Sequence, residues 1–181
     1  MRSFPFLLLA LAAIPARVVS AQSPAGLVTP WDFKKTIENL TLYSKRLNPM
    51  LDQVRPVEWK GAPEGYVAQQ KLVKTQLASI AILTQNLAKD PERLPLALDL
   101  FLRYENFDIT LASLTDGVRR YQNPAVADLI NGVRNENSPA RQALKDYVVD
   151  LAAIKDQEFR IVDQEAQRCR GQLLKPTRGR N

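Results

Sequence analysis

The sequence predicts an all-α fold: an antiparallel up-down four-helix bundle, with one short extra helix between the third and fourth long ones. Three observations carry that expectation. Apolar residues recur at alternating spacings of four and three along most of the 181-residue chain, which places them on single helix faces. Proline marks nearly every expected helix start, a position at which the missing N–H costs nothing. No alternating apolar–polar run bounded by turns competes for a strand.

Residues 1–21 come first and read as a cleaved secretory leader. Arg2 supplies a positive start, Phe4 to Ile14 an apolar run, and Val19-Ser20-Ala21 a small-residue cleavage pattern. The apolar run is well short of the roughly 20 residues that cross a bilayer, and Pro15 with Arg17 closes it. The mature chain is therefore expected to begin near Gln22 and to act in a secreted or periplasmic setting. Residues 22–170 should form one helical domain and residues 171–181 a basic, disordered tail.

The first helix opens at Thr29-Pro30-Trp31-Asp32, a cap, a first-turn proline and an acid. Its seam is Phe33, Ile37, Leu40, Ser44, Leu47, Leu51 and Val54, widened by Tyr43 and Met50. Pro49 lies inside this pattern and removes one backbone hydrogen bond, so a kink near Asn48 or a division into two helices is expected. The segment 55–62 holds Pro56 and Gly61 and reads as a loop. Pro63 opens the second helix, with Tyr66, Gln70, Val73, Leu77, Ile80, Thr84 and Leu87 in line. Asp90-Pro91 ends it and caps the third, where Pro95 is expected to delay the regular helix by a turn; the seam is Leu100, Tyr104, Phe107, Leu111, Leu114, Val118 and Tyr121.

Asn123-Pro124 begins the short helix, with Val126, Leu129, Ile130 and Val133 on one side. Ser138-Pro139 begins the last, expected to bury Leu144, Tyr147, Val148, Leu151 and Ile154, then Phe159, Ile161, Val162, Ala166 and Cys169. Gly171 is the expected stop.

Composition narrows the chemistry. The chain has no histidine and one cysteine, which removes the usual general base, the histidine-dependent triads, an intramolecular disulfide and most zinc, copper and haem ligation. Only seven glycines are present, and no phosphate loop, dinucleotide fingerprint or GxSxG motif is among them. The net charge of +6 falls to +4 without Arg2 and Arg17. Arg168, Arg170, Lys175, Arg178 and Arg180 exceed that excess and leave the body at −1. Such a body offers no clustered charge for specific nucleic-acid binding. Lys175, Arg178 and Arg180 could at most give a weak contact with an anionic surface.

Few residues suggest a site. Trp31, Trp59 and Tyr66 could form an aromatic platform, although tryptophans near helix ends more often close a core. Glu105 and Glu158 interrupt apolar stripes and, counted from Tyr121 and Pro139, fall at one level of a bundle, the arrangement of carboxylate metal sites. Such sites also use Glu-x-x-His, which this chain lacks, so face-edge ion pairs with Arg103, Lys155 or Arg160 are the stronger expectation. Cys169 ends an apolar line and is expected under the last turn, with an intermolecular disulfide as the alternative. Asn39-Leu40-Thr41 matches a glycosylation acceptor but falls within a helix.

The sequence thus points to an exported, non-enzymatic protein without a cofactor, acting by surface binding as a scaffold, adaptor or chaperone-like module. A protein partner or self-association is expected. The alternative is a carboxylate-based metal-binding or enzymatic bundle using Glu105 and Glu158.

Overall fold

The computed structural model describes residues 30–173, with the side chains of Pro30 and Trp31 left aside, and these residues form an all-α fold. Residues 1–21, expected to be a leader, the Trp31 side chain, and Lys175, Arg178 and Arg180 lie outside the described residues. The helices are α1 (Pro30–Gln53), α2 (Gly65–Lys89), α3 (Leu94–Tyr121), α4 (Pro124–Glu136) and α5 (Ser138–Leu173), with a single 3-10 turn at Pro56–Glu58.

The seams explain the packing. Ile37, Leu40, Leu47 and Leu51 of α1 are buried in one apolar core with Val73, Leu77, Ile80 and Leu87 of α2. Leu100, Tyr104, Phe107, Leu111, Leu114 and Val118 of α3 complete it. Three buried hydroxyls along these faces are satisfied within their own helices. Ser44, Thr84 and Thr115 each donate to the carbonyl four residues back, at 3.2, 2.8 and 2.7 Å. A buried hydroxyl paired in this way avoids most of its desolvation cost.

The pairings across α1 and α2 run in opposite directions. Gln70 donates to the carbonyls of Leu51 and Val54, Lys74 pairs with Asp52, and Gln85 reaches the level of Thr41. The α2–α3 interface does the same, with Tyr66 against Gly117 and Gln69 bonded to the Thr110 carbonyl.

Several expectations are corrected. α1 runs through Pro49 as one helix and does not divide there; that proline is exposed, as are Lys45 and Arg46 a turn before it. Arg93, not Asp90-Pro91, caps α3, and Pro91 lies in the α2–α3 turn; the start at Leu94, with Pro95 in the first turn, is the delay expected of Pro95. Leu129 of α4 points to solvent beside the buried Ile130 and Val133. The largest correction concerns α5. Its buried residues end at Leu151, and every residue from Asp156 to Leu173 is exposed. Phe159, Ile161, Val162, Ala166 and Cys169 therefore lie outside the core, and the helix continues through Gly171.

Connectivity causes this overhang. α4 turns back along the second half of α3, with Asp128 paired to Arg119 and Arg134 to Asp108. α5 consequently begins midway along α3, where Arg141 meets Asp108. By Tyr147 it has reached the start of α3, and the phenol donates to the Pro91 carbonyl at 2.6 Å. Val148 and Leu151 are the last residues of this 36-residue helix to be buried, and among the described residues nothing covers it beyond Lys155. Leu144→Ala should therefore cost about 2–5 kcal/mol, whereas Phe159→Ala should stay within about 0.5 kcal/mol; chemical denaturation of the two variants checks the contrast.

Candidate functional site

Three places concentrate chemistry, and the first is aromatic. The 3-10 turn brings Trp59 back over the end of the core, where its ring stacks on Tyr121 at 6.0 Å and meets Tyr66 at 5.2 Å. Its indole N–H donates to Gln122 at 3.0 Å, and the Gln122 amide donates to the Gln53 carbonyl. The ring is buried and its one polar atom is used. Gly117 makes room: a Cβ there would lie 2.5 Å from Tyr66 and 3.0 Å from Trp59.

The second place is an ion-pair cluster. Arg134 of α4 grips Asp108 of α3 with two hydrogen bonds of 2.7 Å, and Arg141 of α5 adds a third contact at 2.7 Å. Burial alone would raise the Asp108 carboxyl; the hydrogen bonds and charges of the two guanidiniums outweigh it and hold the group below the usual carboxylate range. Burial, then the Asp108 charge, pushes the neighbouring Tyr43 phenol up, so it stays protonated. Beside it, between α1 and α4, lies a polar cleft of about 220 Å³ bordered by Asn39, Tyr43, Arg46, Glu136 and Asn137. Arg46 and Glu136 form an ion pair at this cleft. The Asn137 Oδ1 is buried without a hydrogen-bond partner, an acceptor that an ordered water could satisfy.

The third place is the overhang of α5. Eighteen consecutive exposed residues extend about 27 Å at 1.5 Å per residue. Phe159, Val162, Ala166, Cys169 and Leu173 follow at spacings of three and four, so they form one stripe. Phe159 is 72% and Leu173 86% exposed. Val148, Lys155, Val162 and Cys169 fall seven residues apart, so the stripe continues the side that α5 buries lower down. Asp156 and Arg160 pair along the helix, as do Lys155 and Glu158.

The structure does not bring Glu105 and Glu158 together. Glu105 sits half-exposed beside Arg141, at 3.8 Å, and Glu158 lies on the overhang. The level count failed because α4 displaces the start of α5 by half the length of α3. Among the described residues, no three acids, cysteines or histidines gather as a metal would require. Trp59 and Tyr66 do meet, but with Tyr121, which sequence reasoning had only in a seam. The Asp108–Arg134–Arg141 cluster was missed; its members are scattered along the chain and share no local motif. Gly117 did leave a signal, a glycine inside an apolar helical pattern.

No described helix is long and apolar enough to cross a membrane. No family model, curated protein or solved structure matches this chain.

Two outcomes follow. Gly117→Ala should lose about 1–3 kcal/mol by overpacking two rings, read as a lower denaturation midpoint. Because folding lowers the Asp108 pKa, the stability it confers is full above the ordinary carboxylate pKa and is lost as pH falls from there through the lower folded-state value. Asp108→Asn should be about 1–3 kcal/mol less stable than wild type at neutral pH. That gap should close below about pH 4, as followed by denaturation at a series of pH values.

Proposed function

We propose that this chain is an exported, non-enzymatic helical protein that works by surface binding, as a scaffold, adaptor or chaperone-like module. The observation that carries the reading is the overhang. A helix with Phe159, Val162 and Leu173 turned to water exposes apolar area that helical proteins ordinarily bury. Isolated helices of this length are marginal in water, and contact with another surface is what makes such a segment persist.

The composition agrees with this reading. A chain without histidine must rely on other groups for acid–base work, and the carboxylates singled out above are held in ion pairs. Asp108 is locked between two arginines, and Glu105 and Glu158 stand far apart in pairs of their own. No observation favours the carboxylate-enzyme alternative over surface binding. The leader of residues 1–21 supports export.

The test has two parts. Protein recovered from producing cells should be found outside the cytoplasm, with its N-terminus near Gln22 by mass spectrometry; a full-length cytoplasmic product would sink the export reading. A photo-crosslinker placed at Val162 or Leu173 should form covalent adducts with a macromolecule in those cells, and one at the solvent-facing Lys71 of α2 should not. Equal yields at the three positions would remove the overhang as the binding surface.

A further inference from the structure

We infer that the α5 overhang is the recognition surface for a second copy of this chain, bound as an antiparallel helix pair. The inference deepens the surface-binding reading and rests on it.

Heptad geometry gives the first argument. Phe159, Val162, Ala166, Cys169 and Leu173 occupy successive core positions of a two-stranded coiled coil. The positions flanking that core are charged: Asp156, Asp163 and Arg170 on one side, Glu158 and Glu165 on the other. Charges at such positions choose the partner and its direction.

Charge order gives the second argument and fixes the direction. The stretch from Asp156 to Glu165 carries four acids and one base, and the stretch from Ala166 to Leu173 carries two bases and no acid. A parallel pair would set the acidic stretches side by side. An antiparallel pair sets each acidic stretch against the other copy's Arg168 and Arg170. The register that seats Phe159, the most exposed aromatic ring among the described residues, on Cys169 of the second copy also seats Val162 on Ala166. It brings Asp156 beside Arg170 twice, once at each end of the overlap. Asp163 and Glu165 then lie near their own copies across the two-fold axis, a repulsion that keeps the association reversible.

The shape of the molecule permits this. The overhang projects past the α2–α3 turn, so two copies can overlap their projections with the packed bodies at opposite ends. The small Ala166 allows close approach at the centre, and Cys169 faces an aromatic ring rather than its own copy.

Protein made from the full chain, with whatever N-terminus the cell leaves, should show a reversible monomer–dimer equilibrium by analytical ultracentrifugation. Val162→Glu should weaken the dimer at least tenfold with an unchanged melting temperature. Asp156→Arg should weaken it as well, and adding Arg170→Asp should restore it, a rescue that simple loss of helix cannot produce. Asp163→Asn with Glu165→Gln should tighten it. Under mild oxidation the Phe159→Cys variant should form disulfide-linked dimers through Cys169 of the second copy, while wild type should not. A chain monomeric at every concentration overturns the inference, as does a dimer indifferent to Val162→Glu and the charge swap. A wild-type dimer crosslinked through Cys169 overturns it too, because it shows a parallel pair. A monomer whose overhang still captures another molecule in cells overturns the self-pairing and leaves surface binding standing; loss of both overturns both.

Discussion

The grip of Arg134 and Arg141 on Asp108 sets the register on which the rest of the molecule depends. It ties α4 and α5 to the same point of α3. A helix entering the packing there can share only half of α3 before passing its end. Partial burial strengthens the grip: three charge-assisted hydrogen bonds at 2.7 Å on one carboxylate are short and bidentate in part, the geometry that most rewards arginine. Replacing either arginine by lysine would keep the charge and lose the fork.

Local energetics then divide α5 into two helices in all but backbone. From Ala140 to Leu151 it is held by tertiary burial. Beyond Asp156, among the described residues, it is held by its own backbone hydrogen bonds and by pairs such as Asp156–Arg160, each such pair worth about 0.2–0.5 kcal/mol. The same end of the molecule is closed by Tyr147, tilted against Phe33 at 4.5 Å and bonded to the Pro91 carbonyl. The aromatic cluster of Trp59, Tyr66 and Tyr121 lies at the other end, tied to Gln122 and to the close approach at Gly117. One end is thus sealed by rings, and the other continues as a projecting helix.

The all-α class and the seams of α1, α2 and α3 were legible because their apolar residues repeat every three and four positions and nearly all are buried. Pattern alone could not separate the two halves of α5. Leu144, Tyr147, Val148 and Leu151 share one helix face at spacings of three and four, as do Phe159, Val162, Ala166 and Cys169, yet among the described residues only the first set is buried. A compositional sign existed: eight of the sixteen residues from 155 to 170 are charged, a density that suits a helix wet on most of its surface. The misplaced level of Glu158 had a different origin. Counting from helix ends assumes that consecutive helices start at the same layer, and α4 breaks that assumption. The Asp108 cluster joins residues 26 and 33 positions apart, which no local reading can pair.

The order of charges along the overhang bears on both its own stability and its association. Acids toward the N-terminal side and arginines toward the C-terminal side align with the helix dipole, and Asp156 before Arg160 is the favourable orientation for a pair four apart. That same polarity makes two copies complementary only when they run in opposite directions. A helix that needed only to be soluble could scatter its charges, or carry one sign, without losing either solvation or length. An apolar stripe interrupted by no charge from Phe159 to Leu173 adds the other requirement, since solubility alone would place polar groups there. Stripe and charge order therefore constrain one surface together: the stripe supplies the attraction between helices, and the charges determine their direction.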